Sequence, residues 1–235
     1  MIDNNLKKYK SLYLLVSGGT DSALGLFLIA KYINDNKLDT KITVSTAVEP
    51  QPHYCRNDKN AKKIVSIIKD MFPDININHK INFLEGYQRR KPGDPKTYPK
   101  VKAMGELIQN EKKDGLYDLF ISFLTSLPKD EHLKENKRLY EKHIDIGPED
   151  RKWTGLRNDK ISGNWYNPFL NLHKKDLADL YEKYDLMDNL FTYTASCTGV
   201  AKVTDNFTKP CQDCFWCVEK FWAFYMYDLP QAYRL

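Results

Sequence analysis

Residues 12–22 read LYLLVSGGTDS, and this stretch decides the fold. Its first five residues are apolar, and the run stops abruptly at a Ser-Gly-Gly sequence, as a buried parallel strand does. From residue 22 to residue 34, apolar side chains recur at helical spacing. The order strand, glycine turn, helix predicts a βα unit with the SGGTDS turn at the carboxyl end of its strand.

The SGGTDS turn has the residue types that a phosphate-binding loop needs. Gly18 and Gly19 let backbone N–H groups approach an anion without a Cβ clash, and the following helix directs its N-terminal N–H groups at the same place. Ser17 and Ser22 add hydroxyl donors, whereas Asp21 is interpreted either as a cap of the first helical turn or as a ligand of Mg²⁺. A tight turn without any ligand is the alternative, which the flanking serines disfavour. The predicted nucleotide-binding residues are Ser17, Gly18, Gly19, Thr20, Asp21 and Ser22.

Strand and helix signals alternate over the first half of the chain. Strands are predicted at residues 41–48, 75–83 and 117–123, and helices around residues 59–71 and 101–110. This alternation predicts an α/β fold, a Rossmann-like three-layer domain with helices on both faces of a parallel sheet. Farther along, we expect a surface helix at 129–143, a long loop at 151–167, and helices at 174–184 and 218–227.

Charge and hydropathy restrict the class of protein. The net charge of +5 arises from 36 basic and 31 acidic side chains, a mild excess that suits anionic substrates and is too small to indicate nucleic-acid binding by itself. No stretch approaches the roughly 18 apolar residues of a membrane span. The N-terminus, MIDNNLKKYK, lacks the apolar core of a signal peptide, so we expect a cytoplasmic protein without a membrane partner.

Four of the five cysteines cluster near the C-terminus with the spacing C-x13-C-x2-C-x2-C. They are Cys197, Cys211, Cys214 and Cys217. A closed shell of four thiolates predicts a structural zinc site. An iron–sulfur cluster, a redox pair or plain free thiols are the alternatives. The predicted organisation is a nucleotide-binding domain at 1–195 and a zinc-binding lobe at 196–235.

The phosphate loop and the cysteine motif together resemble the 7-cyano-7-deazaguanine synthase family of the PP-loop, or N-type ATP pyrophosphatase, superfamily. The family combines an N-terminal SGGxDS with a C-terminal Ser-Cys and a C-x2-C-x2-C triplet. A Pro-Φ-x4-Lys-x-(Glu/Asp)-Φ segment precedes its first zinc cysteine. The matching residues here are Ser196-Cys197, the triplet Cys211, Cys214 and Cys217, Pro168-Phe169, Lys174, Asp176 and Leu177, with a partial match at Gln51-Pro52-His53.

The resemblance implies an ATP-dependent carbon–nitrogen ligase of queuosine biosynthesis with ATP, Mg²⁺ and structural Zn²⁺. Such an enzyme adenylates 7-carboxy-7-deazaguanine, releases pyrophosphate, and lets ammonia displace AMP; a second adenylation leads to the nitrile, preQ0. The implied catalytic residues are Ser17, Asp21, Ser22 and Lys174. For Lys174 the alternative is a solvated lysine on a charged helix. Synthases of this family are often dimers, which makes a homodimer one expectation.

Three segments of the sequence do not decide which molecule accepts the activated group. The chain departs from the family pattern at residues 120–130, which read FISFLTSLPKD. The basic residues at 88–102 are interpreted as a flap over an anionic substrate, a nucleic-acid patch or a solvated loop, and residues 153–165 as a second lid. Cys55 is either a nucleophile or an ordinary thiol, and His53 a phosphate donor, a proton shuttle or a structural residue. The alternative functions are therefore a PP-loop enzyme that thiolates or amidates tRNA, a diverged phage or defence relative that conjugates a deazaguanine to a macromolecule, and a zinc-stabilised nucleotide sensor without catalysis.

Overall fold

One sheet organises the chain. The computed structural model describes residues 2–48, 57–84, 99–145, 161–162, 164–198, 201–206 and 209–225. Within these ranges the strands are β1 (Ser11–Leu15), β2 (Lys41–Val48), β3 (Ile77–Phe83), β4 (Leu119–Ile121), β5 (Ile161–Ser162) and β6 (Trp165–Tyr166). Their order across the sheet is β3-β2-β1-β4-β6-β5. Neighbouring strands are parallel except β5, which runs antiparallel to β6.

Helices cover both faces of this sheet. They are α1 (Thr20–Asp35), α2 (Asn57–Met71), α3 (Pro99–Lys113), α4 (Asp130–Glu135), α5 (Lys137–Asp145), α6 (Lys174–Lys183) and α7 (Phe215–Phe224). Short 3-10 turns lie at Asn4–Lys8, Phe191–Tyr193 and Ala201–Val203. None of the described helices has the length and the apolar character that crossing a membrane requires.

The main core lies between the sheet and helices α1, α2, α6 and α7. Because side chains alternate along a strand, Leu12 and Leu14 of β1 face this core, while Tyr13 points to the other face. On that other face the ring of Phe120 lies 5.3 Å from Tyr13, and the ammonium of Lys112 on α3 lies 5.4 Å from the Phe120 ring. Helix α3 therefore covers the face opposite α1.

Helix α1 packs unusually close to the end of β4. A Cβ placed on Gly25 would lie 2.0 Å from the ring of Phe123, so only a glycine fits at this position of the helix. Phe123 is buried and also contacts the ring of Phe169 at a centroid distance of 5.7 Å. This close approach fixes the start of α1, and hence the SGGTDS turn, relative to the end of β4.

The predicted α/β fold, a parallel sheet with flanking helices, is confirmed. Two expectations were wrong in detail. The predicted loop at 151–167 contains β5 and β6, and β6 extends the parallel sheet through Phe120↔Trp165 and Ile121↔Tyr166. The predicted helix at 129–143 is divided into α4 and α5 at Asn136, whose backbone is extended (φ −134°, ψ 97°) and whose Oδ1 accepts a hydrogen bond from Leu139 N at 3.0 Å.

Candidate functional site

The SGGTDS turn lies at the carboxyl end of the central strand β1. Since β1 pairs with β2 on one side and β4 on the other, this is the point where strand order reverses, and parallel sheets bind ligands there. Val16 N donates to Ser45 O at 2.9 Å, and Gly18 then adopts φ +80°, which favours glycine. The chain enters α1 directly afterwards, with Gly19 as N-cap and no side-chain hydrogen bond at the cap. Asp21 is therefore not the cap of this helix.

Two serines hold the turn in shape. Ser22 Oγ accepts from Ser17 N at 3.2 Å and donates to Gly19 O at 3.2 Å, and the two serine hydroxyl oxygens lie 3.3 Å apart. Gly19 N donates to Ser17 Oγ at 3.3 Å. Ser17 is exposed and Ser22 is buried, so the Ser17 hydroxyl is the one that faces solvent. A loop of this shape binds anions through backbone N–H groups and the positive end of the helix dipole.

A buried lysine reaches the loop from a distant helix. Lys174, the first residue of α6, is 4% exposed, and its ammonium donates a hydrogen bond to Asp21. The alternative of a solvated lysine is thereby excluded. Thr125 Oγ1 donates to the second carboxylate oxygen of Asp21 at 3.3 Å. The loop, the end of β4 and the start of α6 thus converge on one carboxylate.

Glu219 on α7 is the second carboxylate beside Lys174. Its Oε2 lies 3.5 Å from Lys174 Nζ and, among the described residues, accepts no hydrogen bond, so the contact is an ion pair only. Burial raises the pKa of Glu219 to about 7, although the charge of Lys174 opposes this shift. Burial alone would lower the pKa of Lys174, but the charges of Asp21 and Glu219 outweigh it, and the pKa of this ammonium is raised. Lys174 is therefore a fixed positive charge at the edge of the phosphate loop.

Sequence reasoning missed Glu219 and did not predict the burial of its neighbour Lys220. Both are buried residues of α7, which begins at Phe215, three residues before the start predicted from sequence. Lys220 Nζ donates to Thr194 O at 2.9 Å and to Thr194 Oγ1 at 3.0 Å. Burial lowers the pKa of Lys220 to about 7. Two adjacent charged residues on an otherwise apolar helix, Phe-Trp-Cys-Val-Glu-Lys-Phe-Trp, were the available signal.

The four clustered cysteines come together around one point. The sulfurs of Cys197, Cys211, Cys214 and Cys217 all lie within 4.8 Å of one another, and this group could hold a metal ion. Cys211 Sγ and Cys217 Sγ are 3.9 Å apart. Backbone N–H groups of Cys211 and Cys214 donate to Cys197 Sγ and Cys211 Sγ, each at 3.3 Å, as they do around thiolates that bind metals.

Helix α5 holds the loop that carries two of these cysteines. Arg138 Nη2 donates to Gln212 O at 2.6 Å, and Lys142 forms an ion pair with Asp213 at 2.8 Å. Of the lysines that lie near these cysteines in the sequence, Lys202 and Lys209 are exposed whereas Lys220 is buried. The cysteine cluster thus has a rigid support on the side of α5.

Several predicted residues lie outside the described part of the chain. These are Gln51, His53, Cys55, Trp153 and the basic residues at 88–98. Residues 99–102 of the basic segment form the start of α3. The interpretations given to these segments therefore stay predictions. The residues that the structure does bring together at the loop are Ser17, Gly18, Gly19, Thr20, Asp21, Ser22 and Lys174.

Comparison with known proteins finds similarity in structure only. No protein-family model matches the sequence, and no curated protein matches it. The U34-tRNA thiolase NcsA from Methanococcus maripaludis, solved with its [4Fe-4S] cluster, superposes with a TM-score of 0.47 at 12% identity, over 75% of this chain and 57% of that one. The NAD+ synthetase from Burkholderia pseudomallei superposes with a TM-score of 0.45 at 9% identity, over 80% of this chain and 64% of that one. The chain spans less than two thirds of either protein, and similarity at this level assigns neither activity nor metal to it.

Proposed function

We propose that this chain is a PP-loop enzyme that binds ATP at residues 17–22 and adenylates an oxygen of a small carboxylate, releasing pyrophosphate. The observation that carries the proposal is the contact between Lys174 and Asp21. Two motifs separated by 153 residues in sequence meet at the carboxyl end of the central strand. A tight turn without a ligand has no need of a buried ammonium beside it, because burying a charge is costly.

The charges around the loop suit the triphosphate group. The N–H groups at the start of α1 and the Ser17 hydroxyl are donors for phosphate oxygens. Asp21 is the carboxylate suited to hold Mg²⁺, which neutralises phosphate charge when it is bound. Lys174 then stabilises the charge that develops on the leaving pyrophosphate.

In the proposed first step, a carboxylate oxygen of the substrate attacks the α-phosphorus. The bond from the α-phosphorus to the oxygen that bridges to the β-phosphorus breaks, and pyrophosphate leaves with that electron pair. The product is an acyl adenylate. Ammonia then attacks the acyl carbon, AMP leaves, and the nitrogen loses a proton to give an amide. Adenylation of the amide oxygen by a second ATP, followed by loss of AMP and of the two nitrogen protons, gives the nitrile.

The substrate that we propose is 7-carboxy-7-deazaguanine, with ammonia as the nucleophile. The support is the joint occurrence of the SGGTDS loop, the Lys174 segment and the four-cysteine motif, the combination that resembles 7-cyano-7-deazaguanine synthases. The ends of β1 and β4 and the start of α6 meet at the loop through the contacts of Asp21 with Thr125 and Lys174.

We further infer that the four cysteines hold a single Zn²⁺ ion with a structural role. In a tetrahedral shell with Zn–S bonds of about 2.3 Å, the sulfurs lie about 3.8 Å apart. The distance of 3.9 Å between Cys211 Sγ and Cys217 Sγ fits this shell. A [4Fe-4S] cluster binds each thiolate through a different iron atom and therefore needs a wider spacing than the 4.8 Å that encloses all four sulfurs here.

Two measurements test the metal. Elemental analysis of the purified full chain is expected to give one zinc per chain and no iron. Anaerobic purification is expected to give a colourless protein without the visible absorption of an iron–sulfur cluster. A brown protein with stoichiometric iron and acid-labile sulfide would contradict the zinc assignment.

The activity is tested by incubating the zinc-loaded chain with ATP, Mg²⁺, ammonium and 7-carboxy-7-deazaguanine. Mass spectrometry is expected to detect the amide and then the nitrile, and pyrophosphate is released in proportion. Lys174→Gln is expected to lower pyrophosphate release by about a hundredfold or more, as the loss of a charge that acts in the transition state does. Lys175→Gln is the matched control, because Lys175 is adjacent on α6 but lies 4.7 Å from the Trp222 ring, away from Asp21.

The outcomes separate the candidate functions. If pyrophosphate is released only with a carboxylate other than 7-carboxy-7-deazaguanine, the proposed adenylation stands and the proposed substrate is wrong. If the protein binds ATP but releases no pyrophosphate with any carboxylate or tRNA tested, the nucleotide sensor without catalysis is the function that remains. Absence of ATP binding by folded, zinc-loaded protein would overturn the proposal as a whole.

A further inference from the structure

Residues 195 and 196, which directly precede Cys197, contact the SGGTDS turn. Ala195 N donates to Gly18 O at 2.9 Å. Ser196 Oγ lies 2.9 Å from Thr20 Oγ1 and accepts from Thr20 N at 3.5 Å. A Cβ on Gly19 would lie 3.5 Å from Ser196 Oγ, so a side chain at position 19 would contact this segment. The shape of the loop therefore depends on where residues 195 and 196 lie.

The position of those two residues depends in turn on the cysteine cluster. Ser196 is bonded directly to Cys197, whose Sγ accepts from Cys211 N at 3.3 Å. On the other side, Lys220 from the helix that carries Cys217 binds both the carbonyl and the hydroxyl of Thr194. Residues 194–197 are thus held by α7 at Thr194, by Cys211 at Cys197, and by the SGGTDS turn in the middle.

A metal ion at the cysteines changes how firmly this segment is held. Four thiol groups near one another bind each other weakly, whereas a bound metal fixes all four sulfurs at one centre, and structural metal binding contributes directly to folding free energy. Fixing Cys197 relative to the other cysteines also fixes its neighbour Ser196. The effect reaches Thr20 through the two hydrogen-bond contacts of Ser196 Oγ, and Gly18 through the hydrogen bond from Ala195 N.

We propose that metal binding at the four cysteines sets the conformation of the phosphate loop through Ala195 and Ser196, so that metal and nucleotide bind with positive coupling. Ser196 is a positioning residue in this scheme. Its side chain contacts Thr20, and it acts on the nucleotide only through the loop. The nucleotide half of this inference rests on the proposed function, whereas the effect of the metal on the loop does not.

Coupling between two binding sites is reciprocal. If zinc raises the affinity of the loop for nucleotide, nucleotide must raise the affinity of the cysteines for zinc by the same factor. This gives a readout that needs no turnover. We expect zinc affinity, measured by competition with a chromogenic chelator, to increase about fivefold or more when Mg²⁺ and α,β-methylene-ATP are added.

The test uses the full chain and the variant Ser196→Ala. The variant is expected to bind zinc as tightly as the wild type without nucleotide, and to lose the increase in affinity when nucleotide is added. In hydrogen exchange with zinc bound, peptides covering residues 17–22 of the variant are expected to exchange faster than in the wild type, while peptides of β2 do not change. Thr192→Ala is the matched control, since its hydroxyl donates to Asp188 O at 3.1 Å within its own turn and does not touch the loop.

Four results decide between these possibilities. Unchanged exchange of residues 17–22 in zinc-loaded Ser196→Ala would overturn the inference, and so would a nucleotide effect on zinc affinity that survives this substitution. Loss of the effect in Thr192→Ala as well would overturn it, because a general loss of stability would then suffice. If the wild type binds no nucleotide but its loop exchange still depends on Ser196, the proposed function fails and the control of the loop by the cysteine lobe stands.

Discussion

Lys174 carries one positive charge against the two carboxylates of Asp21 and Glu219, in a region with little access to water. Each of the three comes from a different element, namely α6, α1 and α7. Asp21 has a second partner in Thr125, whereas among the described residues Oε2 of Glu219 has only the ion pair with Lys174 at 3.5 Å. The arrangement stabilises a positive charge at the loop at the expense of one poorly compensated carboxylate.

Glu219→Gln is expected to raise the stability of the protein and to lower its activity. The amide keeps the shape but removes the buried charge, so the free energy of unfolding at pH 8 is expected to rise by about 1 kcal/mol. Lys174 then has one carboxylate instead of two, so its ammonium is positioned less firmly at the loop, which lowers kcat/KM by about tenfold or more. Urea unfolding and pyrophosphate release measure the two effects. Glu182→Gln, an exposed change on α6, serves as control, and equal activity of both variants would contradict the role of Glu219.

His79 on β3 is expected to make stability depend on pH. Burial lowers its pKa below the ordinary value of 6.5, and Lys62 and Lys69 lower it further. The unfolded chain therefore binds a proton at higher pH than the folded one, and stability is lost as the pH falls from 6.5 through the folded pKa. In His79→Gln this loss is absent. Urea unfolding at pH 7.5 and pH 5.5 checks this, and an equal loss in both proteins would count against it.

The start of α1 is held where it is by the absence of a side chain at Gly25. The ring of Phe123 occupies the space that a Cβ would need. Gly105 on α3 is the opposite case, since a Cβ there would meet no atom within 4 Å. Substitution by alanine is therefore expected to change the free energy of unfolding in opposite directions at Gly25 and at Gly105.

Gly25→Ala is expected to destabilise the protein by about 1–3 kcal/mol through overpacking against Phe123. Gly105→Ala is expected to stabilise it by about 0.5–1 kcal/mol, because alanine costs less conformational entropy in a helix. Chemical denaturation measures both. Adding Phe123→Leu to Gly25→Ala is expected to restore part of the stability, and a failure of this rescue would show that the Cβ clash is not the cause.

Elements with a clear period were predictable from sequence, and those fixed by tertiary pairing were not. Strand β2 has the predicted bounds, and α1, α2 and α6 differ from prediction by two residues or fewer at each end. Strand β6 has only two residues, too few for any period, and it exists because it pairs with Phe120 and Ile121 of β4. The division at Asn136 was available from sequence, since asparagine commonly caps the helix that follows it.

The candidate site was predictable where a motif is local. The loop at 17–22 and the cysteine spacing are local patterns, whereas the contact of Lys174 with Glu219 depends on how α6 packs against α7. A lysine on an amphipathic helix often faces water, so the sequence left the solvated interpretation of Lys174 open. The burial of Glu219 and Lys220 follows from the apolar residues around them on α7, on every side of that helix.

At the scale of the whole molecule, helix α7, which carries Cys217, is part of the main core. Val218, Trp222, Ala223 and Phe224 of α7 belong to the same buried cluster as the strands and α1. Helix α7 packs against both α5 and α6, and the ring of Phe224 lies 4.3 Å from that of Phe191. Helix α7 thus supplies side chains to the core that the sheet and α1 also form.

A chain that ends at residue 195 is accordingly expected not to fold. Removing α7 exposes the apolar surfaces of α5 and α6 and leaves Lys174 with a single carboxylate. Near-UV circular dichroism and NMR dispersion of the truncated chain are expected to show no fixed tertiary structure, while the zinc-loaded full chain unfolds in one cooperative transition. A well-dispersed spectrum from residues 1–195 would instead support the domain boundary expected from sequence.

The hydrogen bonds between residues 195–196 and the loop also bear on biosynthesis. Thr20 leaves the ribosome early, yet its partner Ser196 follows 176 residues later. A nascent chain can therefore form the strand and helix on either side of the loop well before the loop has the contacts that shape it, since contacts of such sequence separation form late. The turn at residues 17–22 therefore gains these contacts only after residues 195 and 196 have been synthesised.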